Sequence, residues 1–353
     1  SAIRGRLLGR ASVLAMTALD VERAHRLADE GLDLAARRGD PTLEGQLLTV
    51  RHLCVVDRAG AEQRERLGER LIGLGAHARR SDLSLVGYQW IAGTRILRGD
   101  LAGAADELDR LEIRATLRPP SWQLVVQFRR MTLAGMIGPR EAALELAAET
   151  WERFGDLLGE QERPGVEYEF RSSLARLYGV ADPEIEQLHA RLYGRPLPPV
   201  PFINVRAGMK DLLTGDVERI RPIVSRWAPR STMIVRSFMG LPTMAVLATM
   251  AAAVGDGELS QPVVDALLPF SGLLACDNGI GVNPPVDTLI AMNLLATREL
   301  ERAAEYAAAG VELAETTGAD PLMDRARSVQ LAVEEASGRG LAEALRCLLY
   351  TSP

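Results

Sequence analysis

The sequence predicts an all-α fold, a tetratricopeptide-like α-solenoid of about nine antiparallel helix pairs, on three grounds. The apolar content is dominated by Ala and Leu, strong helix formers, while aromatics make up only 5% of the 353 residues and strand-forming runs are scarce. A turn phrase recurs with a period near 40 residues. Glycines and Asp-Pro pairs fall where helices should stop and start.

Near the start, Val21, Ala24, Leu27, Ala28, Gly31, Leu32 and Ala35 fall on one stripe of a helix. Gly39 can end that helix in the left-handed conformation, and Asp40-Pro41 caps and begins the next. The recurring phrase is a helix ending in Leu or Met, then Gly, a polar residue and an Ala-rich amphipathic run. LRGDLAGAADEL places its glycine at Gly99, MIGPREAALEL at Gly138, LYGVADPEIEQL at Gly179, LLTGDVERIRPI at Gly215 and AVGDGELSQPVV at Gly255. LATRELERAAEY puts Arg298 at the equivalent point, so successive spacings are 39, 41, 36, 40 and 43 residues. Such a period suits two helices and two short turns, a unit that cannot cover its own apolar face and must stack on its neighbours. Ala303, Ala304, Ala307, Ala308, Val311 and Ala314 form a later stripe of small residues, and Gly318 with Asp320-Pro321 marks the boundary after it.

Two segments break the rhythm. Residues 194–201 (GRPLPPVP) form a Pro-rich crossing, which divides an N-terminal lobe of repeats (1–193) from a C-terminal lobe (202–346). Residues 269–285 (PFSGLLACDNGIGVNPP) are a long, helix-hostile connection, expected to be functional or mobile. Residues 347–353 read as a non-native tail, and the chain, which begins at Ser1, as a piece of a larger protein.

Net charge is −6, with 41 basic residues scattered among 47 acidic ones, so no positive stripe for nucleic acid is expected. Cys54, Cys276 and Cys347 are odd in number and far apart, which argues against a disulfide framework or a paired-cysteine zinc site and fits a reducing cytoplasm. With no signal peptide and no apolar run long enough to span a bilayer, the expected setting is cytoplasmic, away from membranes.

No motif assigns catalysis. A phosphate-binding loop needs Gly-Lys-Ser/Thr, and the only lysine, Lys210, lies between Met209 and Asp211. Gly279-Ile280-Gly281 lacks a preceding strand and runs into Pro284-Pro285, unlike a dinucleotide fingerprint. His25, His52, His77 and His189 lie on separate helices without metal-ligand spacing and read as surface or groove residues. Glu160, Glu162, Glu167 and Glu169, with Arg163, read as a solvated helix start, and Trp90, Trp122, Trp151 and Trp227 as gap-fillers between helices. Arg37-Arg38, Arg79-Arg80 and Arg129-Arg130 are placed mostly near helix ends, where cations complement the dipole. No catalytic, cofactor-binding or metal residue is therefore assigned, no enzymatic activity is expected of this segment, and ligand-contacting residues stay open.

The segments ERAHRLADEGLDLAARRGDPTLEGQLLTVRH (22–52), LRGDLAGAADEL (97–108) and RELERAAEYAAAGVELAETTGADPLMDRARSVQLAV (298–333) resemble the helical repeat region of large bacterial signal-transduction ATPases. These are the LuxR-type transcriptional regulators and the related adenylate or guanylate cyclase fusions, and the resemblance runs from about residue 3 to 345. It implies an ATP-binding module upstream and often a DNA-binding domain downstream, neither of which is in this sequence. It also implies a sensing role, with a protein partner or small inducer on the concave surface. A stand-alone repeat scaffold that binds peptide or protein partners is the alternative.

Overall fold

The computed structural model describes residues 2–17, 20–54, 58–160, 162–194, 196–237, 239–276 and 280–339. The expected tail at 347–353, Cys347, Gly279 and the side chain of Cys54 lie outside them. Among the described residues every regular element is helical, and one isolated β-bridge joins Leu274 to Pro285.

The first part is a regular stack: α1 (Ala2–Thr17), α2 (Val21–Arg38), α3 (Pro41–Cys54), α4 (Arg58–His77), α5 (Ser81–Leu97), α6 (Leu101–Ala115), α7 (Pro120–Ile137) and α8 (Arg140–Phe154), each packed on the next. The turns follow the sequence phrase residue by residue. Gly39, Gly99, Gly138, Gly179, Gly215, Gly255 and Gly318 all have φ between 60° and 81°, and Arg298 takes the same conformation at 64°. This left-handed geometry strains a side chain, so glycine is the ordinary occupant. The aspartate that follows then caps the next helix: Asp40, Asp100, Asp216 and Asp256 each accept a hydrogen bond from a backbone N–H two or three residues on. Small residues bring α4 and α5 together, since a Cβ on Gly87 would lie 2.6 Å from the Gly68 carbonyl oxygen.

Beyond α9 (Glu162–Tyr178) and α10 (Glu184–Tyr193) the helices shorten: α11 (Pro201–Ala207), α12 (Met209–Leu213), α13 (Val217–Trp227) and α14 (Ser231–Val235). Regular lengths return with α15 (Gly240–Val254), α16 (Gly257–Leu267), α17 (Val286–Thr297), α18 (Leu300–Thr317) and α19 (Asp320–Arg339). Helices α15 and α17 are buried on nearly every side and pack on each other, with α13, α16 and α18 around them. A helix apolar all round belongs in an interior, not in the rim of a stack. The main core reaches across residues 194–201, joining Tyr168, Ala175 and Ile185 to Val205, Met209 and α15.

The chain also folds back on itself. Helix α19 packs against α7 and α9. A second core combines Ile96, Leu108 and Met131 of the first stack and Leu174 of α9 with Ala314, Leu322 and Ala326 of α18 and α19. Leu274, Cys276 and Val282 of the 269–285 connection join this core. Leu274 N–H donates to the Leu97 carbonyl (2.8 Å), Ala275 N–H to that of Pro284 (3.1 Å) and Val286 N–H to that of Leu273 (2.9 Å). Thr132 Oγ1 donates to the Ile280 carbonyl (3.2 Å), and Val282 N–H donates to Ser173 Oγ (3.0 Å). Leu274, Ala275, Cys276 and Val282 are fully buried, so the described part of this connection is a packing element, held by the polar partners that a buried loop requires.

Candidate functional site

Alpha-helix α9 carries Glu169, Ser172, Ser173 and Arg176 at i, i+3, i+4 and i+7, a polar stripe turned into the protein rather than toward water. Three of the four have polar partners, and the buried Ser172 hydroxyl has none among the described residues. Glu169 forms an ion pair with Arg206 at 2.8 Å, and Ser173 Oγ donates to the Phe170 carbonyl while receiving Val282 N–H. Arg176 Nη2 donates to Asn283 Oδ1 at 2.5 Å, and its Nη1 lies 4.0 Å from Met209 Sδ.

At the end of this stripe a cavity of about 740 Å³ opens between α9, the α9–α10 turn, α12 and α19. Leu177, Ile185, Leu212 and Leu213 supply apolar wall, and Arg176, Arg325, Lys210, Asp182, Asp320 and Asp324 supply charge. A smaller recess is lined by Arg176, Arg325, Thr249, Val282, Pro284 and Leu289, so both arginines line the cavity and the recess. That volume falls in the range typical of small-molecule sites.

The charges are arranged by depth. Asp182 is buried and accepts from both Arg140 and Arg171 at 3.0 Å, and at the mouth Lys210 pairs with Glu186 at 2.9 Å. Asp320 and Asp324 are exposed on the rim. Burial pushes the Arg176 guanidinium below the usual arginine range, with Glu169 opposing the shift. Burial pushes Arg325 down to about 10, and the neighbouring Arg176 charge adds to that effect. Both arginines are half-buried and line the cavity.

Other residues singled out by sequence divide clearly. Trp90, Trp151 and Trp227 are buried and Trp122 half-buried, as gap-fillers should be. His77 is exposed, but His52 is buried and stacked on Trp90 with ring centres 3.9 Å apart, which corrects its reading as a surface or groove residue. A lone histidine on a short amphipathic helix gives no sign that the far side is covered too. His189 lies among Tyr168 and Tyr193, its Nε2 3.0 Å from the Ala207 carbonyl. Glu160 and Glu162 are exposed, Glu162 accepting from Gly159 N–H at 3.0 Å, in line with a solvated helix start. Glu169 departs from that reading, because by then α9 has entered the core. Arg129-Arg130 lies mid-helix in α7, where Arg129 is buried and Arg130 pairs with Asp109 and Glu112.

Among the described residues no group of three or more His, Cys, Asp or Glu is placed to hold a metal ion, and no helix is long and apolar enough to cross a membrane. Arg176 and Arg325 escaped the sequence reading, although each had a signal. Arg325 interrupts the stripe Leu322, Ala326, Val329 and Val333, and Arg176 closes the polar stripe begun by Glu169. A charged residue on a face that must be buried marks either an ion pair or a binding site. Comparison with known protein families, curated proteins and solved structures finds no match for this chain.

Proposed function

We propose that this chain is a small-molecule-sensing module: a tetratricopeptide-like helical repeat array that holds its ligand in the cavity between α9 and α19. The observation that carries this reading is the cavity itself, about 740 Å³ with apolar walls and two arginines converging on its floor from distant parts of the chain. Arginines contribute fixed charge and directed donors rather than proton transfer, so the site suits recognition more than catalysis. Its walls belong to α9, α10 and α12 on one side and to α19, the helix that packs back on α7 and α9, on the other. A ligand touching both sides binds the closed arrangement better than any opened one and so shifts the population toward it.

On this reading the protein is cytoplasmic and contacts no nucleic acid itself. The resemblance to the repeat region of bacterial signal-transduction ATPases supports the reading that its output would pass to nucleotide-binding and DNA-binding domains. Equilibrium dialysis against a mixture of cell metabolites tests the reading. The wild-type protein should retain a small molecule that the Ser328→Trp variant, with an indole projecting from α19 into the cavity, does not. Hydrogen exchange in α19 should slow when that molecule is present. Equal retention by both proteins, or none by the wild type, would contradict the assignment.

A further inference from the structure

We infer that the groove between α1 and α3 is a docking site for an acidic amphipathic helix of a partner protein. It is a second surface, separate from the cavity between α9 and α19, and does not depend on the sensing role.

Helix α1 packs on α2 and α3 and buries the stripe Gly5, Gly9, Ser12 and Met16. Its other side is not polar. Ile3, Leu7, Val13 and Leu14 are exposed, and among the described residues no other helix exposes as many large apolar side chains. One exposed leucine is ordinary, but four such residues on one helix form a patch that association would remove from water. Val13 and Leu14 also line a groove of about 510 Å³ against α3. Its floor is made by the buried Leu43, Leu47 and Val50, at i, i+4 and i+7 of α3. A Cβ on Gly5 would lie 2.6 Å from Leu43 Cδ2 and one on Gly9 3.3 Å from Leu47 Cδ2, so the glycines let α1 lie directly on these leucines.

Charge selects the occupant. Arg6 and Arg10, exposed and one helical turn apart, line the groove, and no carboxylate does. Among the described residues neither is ion-paired, whereas Arg4 pairs with Glu30 at 2.5 Å. Helix α1 holds three arginines and no acidic residue, in a chain of net charge −6. An apolar floor edged by cations at i and i+4 complements a helix with apolar anchors on one face and carboxylates four residues apart beside them. From Gly5 to Leu14, α1 rises about 14 Å, room for about three turns of such a helix. A second copy of this chain fits less well, because two α1 faces would set arginine against arginine. A flat anionic bilayer reaches Leu7 and Leu14 but not the buried Leu43 and Leu47 of the floor.

Fluorescence anisotropy with two stapled helical peptides of about 12 residues tests the assignment. Both carry leucines at i, i+4 and i+7, flanked by glutamates in one and by lysines in the other. In low salt the glutamate peptide should bind at least about tenfold more tightly, the scale of two exposed ion pairs set against two repulsions, and the gap should narrow as salt is added. The double variant Arg6→Glu, Arg10→Glu should reverse the preference at unchanged Tm, since both side chains are exposed. Leu14→Ala should weaken the glutamate peptide about fivefold through lost apolar contact. Ser328→Trp, in the other cavity, should leave peptide binding as it is. Absence of binding by the glutamate peptide, or a preference that survives the charge reversal, would overturn the inference. A dimer in sedimentation, or binding to phosphatidylserine vesicles, that Leu14→Ala abolishes would also overturn it by giving this face to another occupant.

Discussion

In α2 the buried residues Ala24, Ala28, Gly31 and Ala35 lie on a single stripe, whereas in α15 fourteen of the fifteen residues are buried. Both helices are rich in alanine, and both end at a left-handed glycine, Gly39 and Gly255. The difference lies in the number of neighbours each requires. A one-stripe helix is satisfied by the flanking members of a stack and leaves a charged face in water. A helix buried all round depends on elements from distant parts of the chain, here α11, α13, α16 and α17 around α15. Stability in the first stack is local and divisible, while around α15 and α17 it is collective.

Substitutions at the central pair should therefore do the most damage. A Cβ on Gly310 of α18 would lie 2.5 Å from Thr288 Oγ1 and 3.0 Å from Thr288 N, on a backbone that cannot retreat. Gly310→Ala should lower stability by about 3 kcal/mol in urea unfolding, the scale of an overpacked core. Asn293 Nδ2 donates to the Ala248 carbonyl at 3.0 Å and the Leu289 carbonyl at 2.9 Å, tying α17 to α15. Asn293→Ala should cost about 2 kcal/mol, since the bond is lost and a cavity takes its place. Wild-type stability after either change would mean that α15 and α17 are not the centre of the fold.

A smaller, pH-dependent effect belongs to the first stack. Burial, then the charges of Arg64 and Arg129, hold His52 well below the ordinary histidine pKa of 6.5. The folded state thus keeps His52 neutral, and the unfolded chain binds the extra proton as pH falls through about 6.5. Its contribution is complete above that pH. Below it, stability declines by up to about 1.4 kcal/mol per pH unit until the folded-state value is reached. His52→Phe, which preserves the stacking on Trp90, should flatten this part of the Tm profile between pH 7.5 and 5.5; an unchanged slope would place the titration elsewhere. The smallest effect sharpens the contrast with Gly310. Gly73 of α4 is exposed, and a Cβ there would meet nothing within 4 Å. Gly73→Ala should stabilise by about 0.5–1 kcal/mol through helix propensity alone.

The same contrast explains what could be read without coordinates. Turns were legible because left-handed backbone selects glycine chemically, and the register extended even to Arg298, which sits at the equivalent point without being glycine. Helix starts were legible because the capping bond is local, as at Asp40 and Asp100. The apolar run GLPTMAVLATMAAAV of α15 marked a helix but no face, so nothing in its period pointed to its neighbours. For the 269–285 connection, glycines and prolines excluded a helix, yet its burial depends on partners 100 or more residues away, such as Ser173 and Thr132. The cavity shares that cause. Arg176 and Arg325 each stand out against a buried stripe, but their convergence exists only once α19 has packed back on α9.

That return of α19 over α7 and α9 is the claim on which the cavity, and with it the proposed sensing role, depends. Small-angle scattering tests it directly. A closed chain of this length should have a radius of gyration of about 20 Å. An open array of about nine pairs spaced roughly 10 Å apart would instead exceed about 26 Å. The compact value is the one predicted, and an elongated value would contradict both the closed stack and the site formed within it.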